Sequence, residues 1–158
     1  EYRMAELFDA LARPFDFVLI DCPPSLSFLT VNALSAADSV LIPIQCEYLA
    51  LEGVTQLIET LKRVKKALNP RLNVEGVLLT MYDDRTNLSR QVAEEVNSFF
   101  KGSVYQTIIP RNIRLSEAPS FGKPIFLYDP RSRGAAAYLE LAKEILSREG
   151  RTETQGAG

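Results

Sequence analysis

Residues 15–25 read FDFVLIDCPPS. The nearly continuous apolar run Phe15-Asp16-Phe17-Val18-Leu19-Ile20 has the composition of a central parallel strand covered on both faces, with Asp21 at its carboxyl end. Pro23 and Pro24 cannot extend a strand, and SFLTVNALSA at 27–36 returns to helical spacing, so 21–26 is expected to form a loop between strand and helix. An apolar strand that delivers a carboxylate to a stiff loop is the first half of a strand–helix–strand unit.

The pattern repeats outward from there. Residues 39–44 predict a second strand, and LALEGVTQLIETLKRVKKAL at 49–68 an amphipathic crossover helix with Val54, Leu57, Ile58, Leu61, Val64 and Leu68 on one face, ended by Asn69-Pro70. Residues 73–81 predict a third strand, 88–100 a helix and 104–109 a fourth strand. Upstream, Met4, Leu7, Phe8 and Leu11 are spaced for a helix over 4–12, stopped by Arg13-Pro14. Such alternation predicts an α/β domain with a mostly parallel sheet flanked by helices and right-handed crossovers. A short helix is expected over 113–120, a loop-like stretch to Pro130, and a closing helix over 134–148. The tail 149–158, EGRTETQGAG, lacks apolar periodicity and is expected to be disordered, leaving one domain over 1–148.

Composition narrows the function classes. The 158 residues are 46% hydrophobic, enough for a real core, and 18 Lys+Arg against 20 Asp+Glu give a net charge of -2, so no global basicity points to a polyanion, although a local patch can bind one. Cys22 and Cys46 form no CxxC pair and there is no His, which leaves zinc and disulfide-framework readings without support. Both thiols are expected to be buried, in a reducing, cytoplasmic setting. No apolar run approaches the roughly 18 residues needed to span a bilayer, so a soluble protein without membrane contact is expected.

An Asp at the carboxyl edge of a parallel sheet can hold water on a Mg²⁺ ion beside nucleotide phosphates, or it can simply cap the next helix. The loop Cys22-Pro23-Pro24-Ser25 can respond to a phosphate or be a rigid turn. Lys62, Arg63, Lys65 and Lys66 read as the solvated face of a helix, and Tyr48, Tyr82, Tyr105 and Tyr128 as packing residues.

The string FDFVLIDCPPSLSFLTVNALSAADSVLIPIQCEYLALEG, followed by GVLLTMYDDRTNLS at 76–89 and VYQTIIPRNIRLSEAPSFGKPIFLYDPRSRGAAAYLELAKEI at 104–145, resembles the ParA/Soj family, in the deviant-Walker-A branch of P-loop ATPases. The resemblance implies that Asp21 is the Walker B aspartate, reaching Mg²⁺ through water. It likewise makes Cys22, Pro23, Pro24 and Ser25 the switch loop, and Pro110, Arg111 and Asn112 the lining of an adenine pocket. Arg85 and Arg114 match positions that present arginines to the DNA backbone. The implied whole is a nucleoid-associated ATPase for chromosome or plasmid segregation that uses ATP and Mg²⁺. It would dimerise with ATP, hold non-specific DNA and answer to a ParB-type centromere-binding partner.

The family's glycine-rich phosphate loop has no counterpart in this sequence, so the reading is of a partial P-loop fold without its N-terminal P-loop unit, inactive as a hydrolase alone and exposing an apolar sheet edge. Two other readings stay open: a DNA- or partner-binding module that lost the loop, and a MinD-like positioning ATPase.

Overall fold

The computed structural model describes residues 3–9, 15–23, 27–48 and 50–155. Its elements run α1 (Arg3–Asp9), α2 (Phe28–Ala36), β1 (Ser39–Gln45), α3 (Ala50–Ala67), β2 (Asn73–Thr80), α4 (Asn87–Phe99), α5 (Ile113–Glu117), a 3₁₀ turn (Ala118–Phe121), α6 (Ile125–Tyr128) and α7 (Arg133–Gln155). The fold is α/β, and β1 pairs with β2. Asn73 N–H donates to the Asp38 carbonyl at 3.1 Å and Cys46 N–H to the Thr80 carbonyl at 2.9 Å, a register that advances together along both strands and makes the pair parallel. Pro43 sits in β1 without disturbing this pair, because its position, odd relative to Cys46, turns the missing N–H away from β2.

The chain divides into two compact units, 1–41 with 51–75 and 42–50 with 76–158. In the first, Ala33, Leu34, Val54, Leu61, Val64 and Leu72 are buried. Asn69, which ends the α3 segment, is buried too: its Nδ2 donates to the Leu34 carbonyl at 3.0 Å and the Ala37 carbonyl at 2.7 Å, and its Oδ1 accepts from Arg71 N–H. One amide side chain thus ties the end of α2 to the turn after α3.

In the second unit, consecutive Val77, Leu78 and Leu79 are all buried, the mark of a strand covered on both faces. Thr86 caps α4, its hydroxyl accepting from Ser89 N–H. Ala118, Ile125 and Ala135 form a buried cluster with Leu115 and Tyr128 packed against it.

Four expectations change. Residues 15–20 form no strand, and Phe15, Phe17, Val18 and Leu19 are exposed, Leu19 by 93%. A parallel strand exists by virtue of lateral partners and cover on both faces, and among the described residues none pairs with this run. Residues 104–109 make no continuous strand either, only the parallel bridges Val77–Val104 and Tyr82–Pro110. Tyr105 N–H donates to Val77 and Ile109 N–H to Leu79, so four residues advance against two, and the excess bulges at Gln106–Ile108. Helix α7 continues to Gln155 rather than stopping at 148: Glu, Arg and Gln are good helix formers, and Gly150 costs only about 1 kcal/mol in a helix already started. Finally, α6 occupies part of the stretch expected to be loop-like. The Arg13-Pro14 helix stop and residues 156–158 lie outside the described residues.

Candidate nucleotide and phosphate-contact site

At the carboxyl end of β2, Met81 adopts φ 55°, a left-handed conformation uncommon for a residue with a side chain. It turns the chain so that Tyr82 N–H donates to the Ile109 carbonyl at 3.2 Å and the Tyr82 carbonyl accepts from Arg111 N–H at 2.8 Å. This bridge sets Pro110–Asn112 beside the 82–86 loop, beyond the carboxyl ends of the strands, where open α/β sheets hold their ligands.

The hydrogen-bond inventory of 110–112 limits what it can bind. Pro110 has no N–H, Arg111 N–H is spent on Tyr82, and Asn112 Oδ1 caps α5 by accepting from Arg114 N–H at 2.9 Å. Among the described residues, no hydrogen bond takes the carbonyls of Pro110 and Arg111 or the Asn112 amide nitrogen. These groups could accept from an amino group and donate to a ring nitrogen, which is what a purine edge requires. The Arg111 guanidinium is paired with Glu47, just beyond β1.

Arg85 and Arg114 are both engaged by carboxylates of the chain itself. Arg85 Nε donates to Asp83 Oδ1 at 2.9 Å and Nη2 to Asp83 Oδ2 at 2.7 Å, while Arg85 N–H also donates to Oδ1. These bonds, first the side-chain and then the backbone one, with the Arg85 and Arg111 charges, hold the Asp83 carboxyl well below the usual range. The fork uses two of the five guanidinium N–H donors, and the Arg85 side chain is 82% exposed. Arg114 Nη1 donates to Glu117 Oε2 at 2.9 Å, and its Nε lies 3.5 Å from Asp129 Oδ2. Tyr128, stacked on Phe121, donates its hydroxyl to the same Glu117 oxygen at 2.9 Å. Hydrogen bonds from Arg114 and then Tyr128 lower the Glu117 carboxyl below its ordinary value. Sequence reasoning missed these counter-charges, although Asp83-Asp84-Arg85 places two beside the arginine in plain view.

A carboxylate from α7 completes the edge. Glu144 accepts from Gln106 N–H at 2.9 Å and Thr107 N–H at 2.8 Å, and pairs with Arg148 at 2.8 Å. Arg148 in turn donates to the Val104 carbonyl and lies 3.9 Å over the Tyr105 ring. Burial pushes the Glu144 carboxyl up, but the two backbone donors, the Thr107 side chain and Arg148 outweigh it and hold it below the ordinary value.

In the first unit, Asp21, Cys22 and Pro23 are exposed and outside regular structure. Pro24 and Ser25 lie outside the described residues. Cys22, expected to be buried, is therefore an exposed thiol; Cys46 is buried, and burial pushes its thiol up to about 11, where it is inert. Among the described residues no His, Cys, Asp and Glu cluster could hold a metal directly, and no helix is long and apolar enough to cross a membrane.

Residues 1–74 match the family described as an AAA domain. The chain is 61% identical over 145 residues to the sporulation initiation inhibitor protein Soj of Bacillus subtilis, covering 92% of this chain and 57% of that protein. It is 56% identical over 149 residues to the chromosome partitioning protein ParA of Myxococcus xanthus, covering 94% and 53%. It thus spans about half the length of these relatives. Among solved structures, a cobyrinic acid a,c-diamide synthase from Mycobacterium smegmatis with bound ADP and magnesium superposes with TM-score 0.74 at 39% identity, over 92% of this chain and 52% of that one. The cell division ATPase MinD of Pyrococcus furiosus gives 0.72 at 28%, over 92% and 58%. Along most of its length, this chain is a homologue of the Soj/ParA chromosome-partitioning ATPases, of the P-loop NTPase class.

Proposed function

We propose that this chain carries the Walker B, base-pocket and DNA-contact elements of a partition ATPase that binds ATP with Mg²⁺, dimerises on it and holds non-specific DNA until a ParB-type partner stimulates release at the nucleoid. The observation that supports it best is the Tyr82–Pro110 bridge, which gathers the 110–112 segment and the arginine loop at the carboxyl ends of the strands.

In this reading Asp21 holds a water on the metal, and Cys22–Ser25 move with the phosphate. The Pro110 and Arg111 carbonyls and the Asn112 amide meet the base edge, so side-chain changes at 110 and 111 are mild. Bound ATP and Mg²⁺ supply the phosphoryl group and neutralise charge developing on it. Arg85 and Arg114 contact phosphates without reading sequence, and Asp83 and Glu117 compete for them, which keeps affinity low and salt-sensitive. With no phosphate loop in its sequence, the chain alone turns over no ATP.

The test is binding to duplexes of unrelated sequence. The Arg85→Ala, Arg114→Ala double variant should weaken binding to all of them alike and flatten its salt dependence by about two phosphate contacts. Undiminished binding places the DNA surface elsewhere.

A further inference from the structure

Helix α3 carries Ile58, Leu61, Lys62 and Lys65 at i, i+3, i+4 and i+7, one strip of its surface. With Leu72 and Val74 these residues line a groove of about 170 Å³, set wholly within the first compact unit. Leu61 and Leu72 are buried and form its floor, whereas Ile58 is half-buried and Val74, the second residue of β2, is 40% exposed. Apolar surface therefore continues from the core to solvent along this groove.

Its rim is cationic and uncompensated. Arg85, Arg111 and Arg114 each meet a carboxylate of the chain, and Arg63 on α3 itself lies 4.0 Å from Glu59. Among the described residues no carboxylate pairs with Lys62 or Lys65; Lys65 Nζ donates to Asn73 Oδ1 at 2.8 Å, a neutral acceptor that leaves its charge unbalanced. Lys65 lies in the last turn of α3, where a cation offsets the helix dipole, but Lys62 precedes that turn.

We propose that this groove docks an acidic segment of a partner protein, which seats one large apolar side chain on Leu61 and Leu72 and sets carboxylates beside it against Lys62 and Lys65. Volume decides the anchor. An engineered cavity of about 150 Å³ holds benzene, so this groove takes one side chain the size of Phe or Leu rather than a whole helix face. Charge decides the flanks, because a carboxylate arriving at these lysines breaks no ion pair within the chain. A nucleic-acid backbone would meet the lysines but leave the apolar floor uncovered.

The experiment titrates the full chain into the fluorescein-labelled peptide Glu-Glu-Asp-Phe-Asp-Glu-Glu, and into the same peptide with Ser for Phe, and reads anisotropy. The Phe peptide should bind on the order of tenfold more tightly than the Ser peptide, and more weakly as salt is added. Lys62→Gln with Lys65→Gln, both at exposed positions, should weaken it on the order of fivefold. Lys66→Gln removes the same charge from a residue outside the groove and should leave binding unchanged. Ile58→Ser should bring the two peptides together, with thermal melting to show that the variant folds. No binding of the Phe peptide, or equal binding of both peptides to the unmodified chain, overturns the proposal. So does an equal loss in Lys66→Gln and the double variant, which would make this a diffuse charged face. Loss of mixed-sequence duplex binding in the double variant, with no peptide bound, would assign the lysines to nucleic acid instead.

Discussion

Gly76 in β2 sits so close to Tyr105 that a Cβ added to it would stand 2.5 Å from the ring's Cε2. Real side-chain carbons do not approach that closely, so the strand and the ring have this spacing only because residue 76 has no side chain. Gly76→Ala should force the buried Tyr105 ring or β2 to shift and destabilise the chain by about 1–3 kcal/mol, read as a lower denaturant midpoint. An unchanged midpoint would mean that the ring swings aside freely.

Asn69 supplies two donors to carbonyls of the α2 end and accepts one N–H, all from a buried side chain. Asn69→Ala should leave the Leu34 and Ala37 carbonyls without this partner and cost about 1–3 kcal/mol by chemical denaturation. Asn69→Asp keeps the shape and loses both donors, so it should be at least as harmful.

Much of the α/β order was legible in the sequence, because α3 and α4 carry amphipathic helical periods and α2, β1 and β2 are apolar runs of helix or strand composition. Thr86 and Asn69-Pro70 lie where such helix boundaries belong. The misreadings share a cause. The 15–20 run and the 104–109 run have strand composition, but a strand is a relation between segments, and composition says nothing about whether the partner is present or the register bulges. At the site, Arg85 and Arg114 came from family resemblance alone, and no local pattern announced that Glu117 and Asp129 would meet Arg114 from further along the chain. The Glu144 clamp was likewise invisible, since 38 residues separate it from Gln106.

Glu144 also sets a pH dependence. Its carboxyl is held below the ordinary 4.5, so the charged form stabilises the folded state. That stability is fully present above the unfolded value and is lost as pH falls through the lower folded one. Glu144→Gln should remove this acid-limb contribution and expose the Gln106 and Thr107 amides to faster hydrogen exchange. An acid limb and exchange rates identical to the parent's would show that the clamp holds nothing.

If Asp21 is the Walker B aspartate of a partition ATPase, a chimera that joins it to a phosphate loop should turn over ATP. This chain would replace the matching part of Bacillus subtilis Soj, to which it is 61% identical, so that the relative's remaining chain accompanies Asp21. The chimera should show Mg²⁺-dependent, DNA-stimulated turnover that falls on the order of a hundredfold or more in Asp21→Ala while thermal melting stays unchanged. Turnover undiminished in Asp21→Ala would contradict that assignment.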